Sequence, residues 1–166
     1  TPFRAMELSG EIGEMINILK KIYRISHNVK GTTETPSKLR GMLAAELADV
    51  VICLDLLCVT TTPCIPVLHP AHFPMLNKDM AVVANRVAVV LGDLIHGIEF
   101  MRNGALPQRS QVQFDRSAQK IVVFMMWIAK QNRIDLPIAV VNKFDITTDK
   151  HGLSTYFVPE EMTDCL

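Results

Sequence analysis

Apolar residues recur along this chain in alternating steps of four and three. Leu8, Ile12, Met15, Leu19 and Ile22 form one such stripe, and Leu43, Leu47, Val50, Leu54 and Leu57 form a second. A helix with one buried face needs that period, so amphipathic helices are predicted in ELSGEIGEMINILKKIYR and LRGMLAAELADVVICLDLLC. Between them, Ser26 to Ser37 contains HNVKGTTETPS, whose Gly, Thr and Pro residues stop one helix and start the next. An antiparallel hairpin is expected there. Two further stripes follow: Val87, Leu91, Leu94, Ile98 and Met101 within Met80 to Arg102, then Ala118, Ile121, Met125 and Ile128 within Asp115 to Asn132. With no strand-like alternation, the expected fold is all-α in a single domain. It comprises a first hairpin (1–59), a Pro-rich connector (60–79, including TTTPCIPVLHPAHFP), a second hairpin (80–133) and a C-terminal tail (134–166).

Two acidic pairs interrupt the first two stripes at the same internal spacing. Glu11 and Glu14, like Glu46 and Asp49, each stand one residue before a stripe position, so all four flank the core on the same side. Matching flanks face each other in an antiparallel pair. Glu14 lies twelve residues before Ser26 and Asp49 twelve after Ser37, which places them at similar height, with Glu11 and Glu46 about a turn away. Four carboxylates are thus expected to converge. Like charges a turn apart on a helix cost roughly 0.2–0.5 kcal/mol per pair, and the edge of a core screens them less than water does. A bound cation reverses that sign, whereas the plain alternative is ordinary solvated helix charge. Oxygen-only ligands suit a hard ion, Mg²⁺ or Mn²⁺, rather than zinc. Magnesium commonly binds through carboxylates together with substrate phosphates, which points to a phosphate-bearing substrate.

Glu11-x-x-Glu14, thirty-one intervening residues and Glu46-x-x-Asp49 resemble the signature of MazG-like all-α nucleoside triphosphate pyrophosphohydrolases, relatives of the dimeric dUTPases. A second stretch agrees. Ile134-Asp135-Leu136, then Asn142-Lys143-Phe144-Asp145 through Lys150-His151-Gly152-Leu153, resembles the C-terminal tail of stand-alone, often phage-encoded members. The resemblance covers residues 3–58 and 134–153. It implies a nucleoside triphosphate substrate and a metal held by Glu11, Glu14, Glu46 and Asp49. Water would attack the α-phosphate, releasing pyrophosphate and a nucleoside monophosphate, with a carboxylate of the first pair taking the proton. It also implies Lys143 and Lys150 as phosphate ligands and a homo-oligomer, dimer or tetramer.

Lys20, Lys21 and Arg24 follow the first acidic pair on its own helix and could balance phosphate charge, although cations near a helix C-terminus suit its dipole anyway. Asn17, one turn after Glu14, and Asn142 serve equally as readers of a base edge or as caps and bridges. Glu7 could support the metal ligands or be solvated. Asp55, within VICLDLLC, reads as a buried acid in need of a partner, either substrate or tail.

The second hairpin departs from the simplest family pattern, in which the tail follows the second helix directly. Setting Ile12 on Leu91 puts Gly13 on Gly92, Glu14 on Asp93 and Asn17 on His96, but Glu11 on Val90. Setting Val50 on Ile121 puts Glu46 on Ser117 and Asp49 on Lys120, which could neutralise Asp93. An internal duplication that kept one metal site explains the pattern, and so do any two amphipathic hairpins.

Composition narrows the partners. Of 166 residues, 49% are apolar, and 17 basic side chains balance 17 acidic ones, so no positive field invites nucleic acid or a membrane surface. The apolar runs around Val50 to Thr60 and Ile121 to Ala129 are too short to span a bilayer, and no signal-peptide pattern is present at the N-terminus. A cytoplasmic protein is expected. Cys53, Cys58, Cys64 and Cys165 form no C-x-x-C pair; Cys53 and Cys58 read as core, and Cys64, His69 and His72 lack an evident fourth ligand for zinc. The nine methionines and Trp127 read mostly as packing, with base stacking a lesser role for Trp127 or Phe144. The expected stoichiometry is one carboxylate metal site per chain, and a metal titration finding two equivalent sites contradicts it.

Overall fold

The computed structural model describes residues 2–61, 79–102 and 107–156, and Cys64, His69, His72 and Cys165 lie outside them. The described residues form five helices: α1 (Pro2–Ser26), α2 (Pro36–Thr61), α3 (Met80–Arg102), α4 (Pro107–Gln131) and α5 (Leu136–His151). The all-α expectation holds, and the first hairpin falls where the stripes place it. Leu8, Ile12, Met15 and Leu19 of α1 are buried, as are all five stripe positions of α2. The connection bends at Asn28, whose φ of 55° a short polar side chain tolerates, and at Gly31, φ 109°. Pro36 opens α2, its fixed φ being preorganised for a helix start, and the Lys38 N–H donates to Thr35 Oγ1 at 3.3 Å.

α3 and α4 form the second hairpin, with Asp79 accepting from the Ala81 N–H at 2.8 Å at its start. At Gly97 the two helices leave a gap that a Cβ would fill in ordinary van der Waals contact, 3.4 Å from the Phe114 nitrogen and 3.5 Å from the Ser110 carbonyl oxygen. α4 begins at Pro107, eight residues ahead of the predicted Asp115, because Ser110 and Phe114 bury against that gap. The first hairpin packs on the second through α1 against α3 and α2 against α4, giving a four-helix bundle. Its single core runs from Leu8 and Leu47 to Leu94 and Ile121. By length and composition α3 could cross a membrane, a property the shorter apolar runs did not reveal; in this fold it buries Val83, Val87, Val90, Leu94 and Ile98.

The stretch expected as a tail is largely helical. Asp135 caps α5, accepting from the Ile138 N–H at 3.2 Å, Pro137 sits in the first turn, and Gly152 ends it at φ 63°. α5 runs along α2 and touches α4 only lightly, so it covers the first hairpin and leaves most of the second uncovered. Leu47, fully buried and one residue after Glu46, sets the depth of the acidic face. Leu47→Ala should lower unfolding free energy by about 2–5 kcal/mol in urea titrations, whereas a change below about 1 kcal/mol would mean the core does not close there.

Candidate functional site

The acidic face of the first hairpin meets α5. Carboxylate oxygens of Glu11, Glu14 and Glu46 lie within 4.8 Å of one another, Glu14 being exposed and the other two half-buried. Three of the four predicted acids therefore converge, and the fourth is engaged differently. Asp49 Oδ2 accepts from Lys143 Nζ of α5 at 2.6 Å, with both side chains partly sheltered from water. Among its charged neighbours Glu46 feels Glu14 most strongly, and Glu11 feels Asp49.

Burial at the core edge is the largest influence raising both Glu11 and Glu46 above the usual carboxylate range. The neighbouring carboxylates add to it, while Lys143 opposes it. Lys143 itself is held above the ordinary lysine range, first by its hydrogen bond to Asp49 and then by the charges of Asp49, Glu46 and Glu11. Expected as a phosphate ligand, it stands in the cluster as the countercharge. Glu7, a turn before Glu11, pairs with Arg4 at 2.8 Å and adds a little negative potential to Glu11.

The other candidates divide by position. Asn17 is exposed one turn beyond Glu14, and Asn142 is exposed beside Lys143, so both flank the cluster without a described bond. Lys20 is exposed two turns from Glu14 and Lys150 two turns from Lys143. Lys21 is drawn away: its Nζ donates to Glu34 in the hairpin loop at 2.6 Å, which holds Glu34 below the usual carboxylate range. Arg24 likewise turns to the loop, donating to the Gly31 carbonyl oxygen at 3.4 Å. Asp55 corrects the sequence reading, for it is exposed rather than buried, although the apolar surface around it still raises its pKa.

Cys58 is in the core and Cys53 packs against it, as expected, but Cys53 also borders this acidic face. Its half-buried thiol is pushed up to about 11, first by burial and then by Glu11, Glu7 and Asp49. The signal was available, since Glu46, Asp49 and Cys53 follow one another at i, i+3 and i+7 on α2. A thiol so protonated is a poor nucleophile and a poor ligand for a hard ion, leaving the carboxylates as the chemical groups here. Neither protein-family models, nor curated proteins, nor solved structures give a match to this chain.

The positions aligned with these acids on the second hairpin also come together. Asp93, Ser117 and Lys120 all line a cavity of about 630 Å³, although Lys120 makes no ion pair with Asp93. Only one of the two hairpins thus presents clustered carboxylates among the described residues.

A carboxyl whose folded pKa is raised binds its proton more tightly folded than unfolded, so its charging opposes the fold as pH rises through that window. Glu46→Gln removes one such charge. In metal-free protein at about pH 7.5 it should raise unfolding free energy by roughly 0.5–1 kcal/mol, the sum of a few like-charge pairs, and the gain should vanish near about pH 4. Loss of stability at the higher pH would show that Glu46 is not repelled there.

Proposed function

We propose that the first hairpin is the active site of a divalent-metal-dependent nucleoside triphosphate pyrophosphohydrolase, the activity of the MazG-like family that the acid spacing resembles. The approach of Glu11, Glu14 and Glu46 oxygens to within 4.8 Å across two helices supports this reading most. In an octahedral Mg²⁺ site neighbouring ligand oxygens stand about 3.0 Å apart and opposite ones about 4.2 Å, so side-chain rotation that draws the three oxygens closer would let them share an ion. Asp49 would join them once Lys143 turns away.

Mg²⁺ or Mn²⁺ held there would screen the triphosphate charge and acidify the attacking water. The protein supplies the remaining roles. Glu11 and Glu46, with pKa values above the usual carboxylate range, are the better proton acceptors, and Glu11 belongs to the first pair. Lys143, already positioned by Asp49, is placed to exchange that carboxylate for a phosphate oxygen. Asn17 and Asn142 border the site, where amide groups can hydrogen-bond sugar or base. Lys20 and Lys150 stand further out, as charges that attract a polyanion rather than clamp it.

A second reading is a catalytically silent helical interaction protein, and the Lys143–Asp49 pair favours it, because that lysine neutralises part of the cluster without any ion. Turnover separates the two. With Mg²⁺ or Mn²⁺ and a panel of ribo- and deoxynucleoside triphosphates, the wild type should release pyrophosphate from at least one. Glu14→Gln should lower that rate by about 10²-fold or more, a loss of roughly 2.7 kcal/mol in transition-state stabilisation, with the circular dichroism spectrum unchanged. Unchanged turnover in that variant removes the proposed site, and an inert wild type across the whole panel establishes the silent reading.

A further inference from the structure

The second hairpin has no clustered carboxylates, but it is not featureless. Arg109, Gln113, Arg116 and Lys120 follow one another on α4 at i, i+4, i+7 and i+11, a single helical face, and all four line the cavity of about 630 Å³ between α3 and α4. Among the described residues of that lining Asp93 supplies the one acidic group, so three cations stand against one carboxylate. Among the described residues none of Arg109, Arg116 and Lys120 makes an ion pair. Arg116 and Lys120 are like charges at i, i+4, an arrangement unfavourable in the absence of an anion.

The cavity has a built framework. Gln113 Nε2 donates to the Asp93 backbone oxygen at 3.2 Å, tying α4 to α3 across it. Ser117 is 3% exposed and lines the cavity. Its hydroxyl, beside three cations that make no ion pair among the described residues, completes a donor set for an anion with several oxygens. Each guanidinium fork can take two oxygens of a phosphoryl group, so two arginines favour an acceptor with several such groups, and the volume lies in the range of small-ligand sites. α5, which covers the corresponding face of the first hairpin, leaves this one open.

We infer that the α3–α4 cavity is a second binding site, specific for a polyphosphate group, with Arg109, Arg116, Lys120 and Ser117 as its donors. It is separate from the carboxylate cluster and needs no metal. A polyphosphate held there would be a nucleotide's own triphosphate or free inorganic phosphate chains, whose shared chemistry is a row of anionic oxygens.

Calorimetric titration of the full chain, stripped of metal over chelating resin, tests this without reference to turnover. Inorganic triphosphate should bind saturably at one site per chain and weaken steeply with added salt. Arg116→Gln combined with Lys120→Gln, both at exposed positions, should reduce affinity by about tenfold or more, while Glu14→Gln leaves it unchanged. A nucleoside triphosphate titrated in parallel identifies the source, binding more tightly only if the base is also engaged. Absence of saturable binding overturns the inference, and so does binding that survives the double substitution or depends on Lys143. Failure here leaves the pyrophosphohydrolase reading intact, since that one is read by metal-dependent turnover and this one by metal-free binding.

Discussion

Repulsion among negative charges at the edge of an apolar core is the constraint from which the rest follows. Glu11, Glu14 and Glu46 are brought within 4.8 Å because Ile12, Met15 and Leu47, one residue after each, are buried to the limit. The core fixes the backbone, and the backbone fixes the carboxylates. Among the described residues neither α1 nor α2 brings a countercharge to them. Lys143 of α5, which packs along α2, supplies one through its 2.6 Å pair with Asp49. One lysine against four acids leaves the face net negative.

Both hairpins were legible in the sequence because their stripes are long and regular, and the four-three spacing of Leu43 to Leu57 leaves little else for that segment to be. The convergence of acids was legible for the same reason, since Glu11 and Glu46 are placed by their neighbours Ile12 and Leu47. The partner of Asp49 was not, because nothing in the spacing of the first hairpin places Lys143 of α5 within 2.6 Å of it. α5 was hidden as a helix because only Leu136 and Thr148 are fully buried in it, although Asp135, Pro137 and Gly152 mark its ends. The exposure of Asp55 was hidden for the opposite reason: its apolar neighbours Leu54 and Leu57 face the core while it turns outward.

The two hairpins meet their neighbours with opposite chemistry. On the first, α5 covers carboxylates and brings a lysine to them; on the second, the aligned positions carry Asp93, Ser117 and Lys120 and open onto a cavity with two arginines. The proposed hard-cation site and the inferred anion site would then share one frame, both hairpins contributing to a single core. Polyphosphate chemistry uses both kinds of site, since the substrate is anionic and its charge must be screened where bonds break.

Diffraction from a crystal soaked in Mn²⁺, collected at the manganese edge, tests the central claim most directly. An anomalous peak lying about 2.2 Å from oxygens of Glu11, Glu14 and Glu46, with Lys143 turned from Asp49, is the result expected of a metal-holding hairpin. A map without a peak among those three side chains, their carboxylates still facing one another around Lys143, would contradict it.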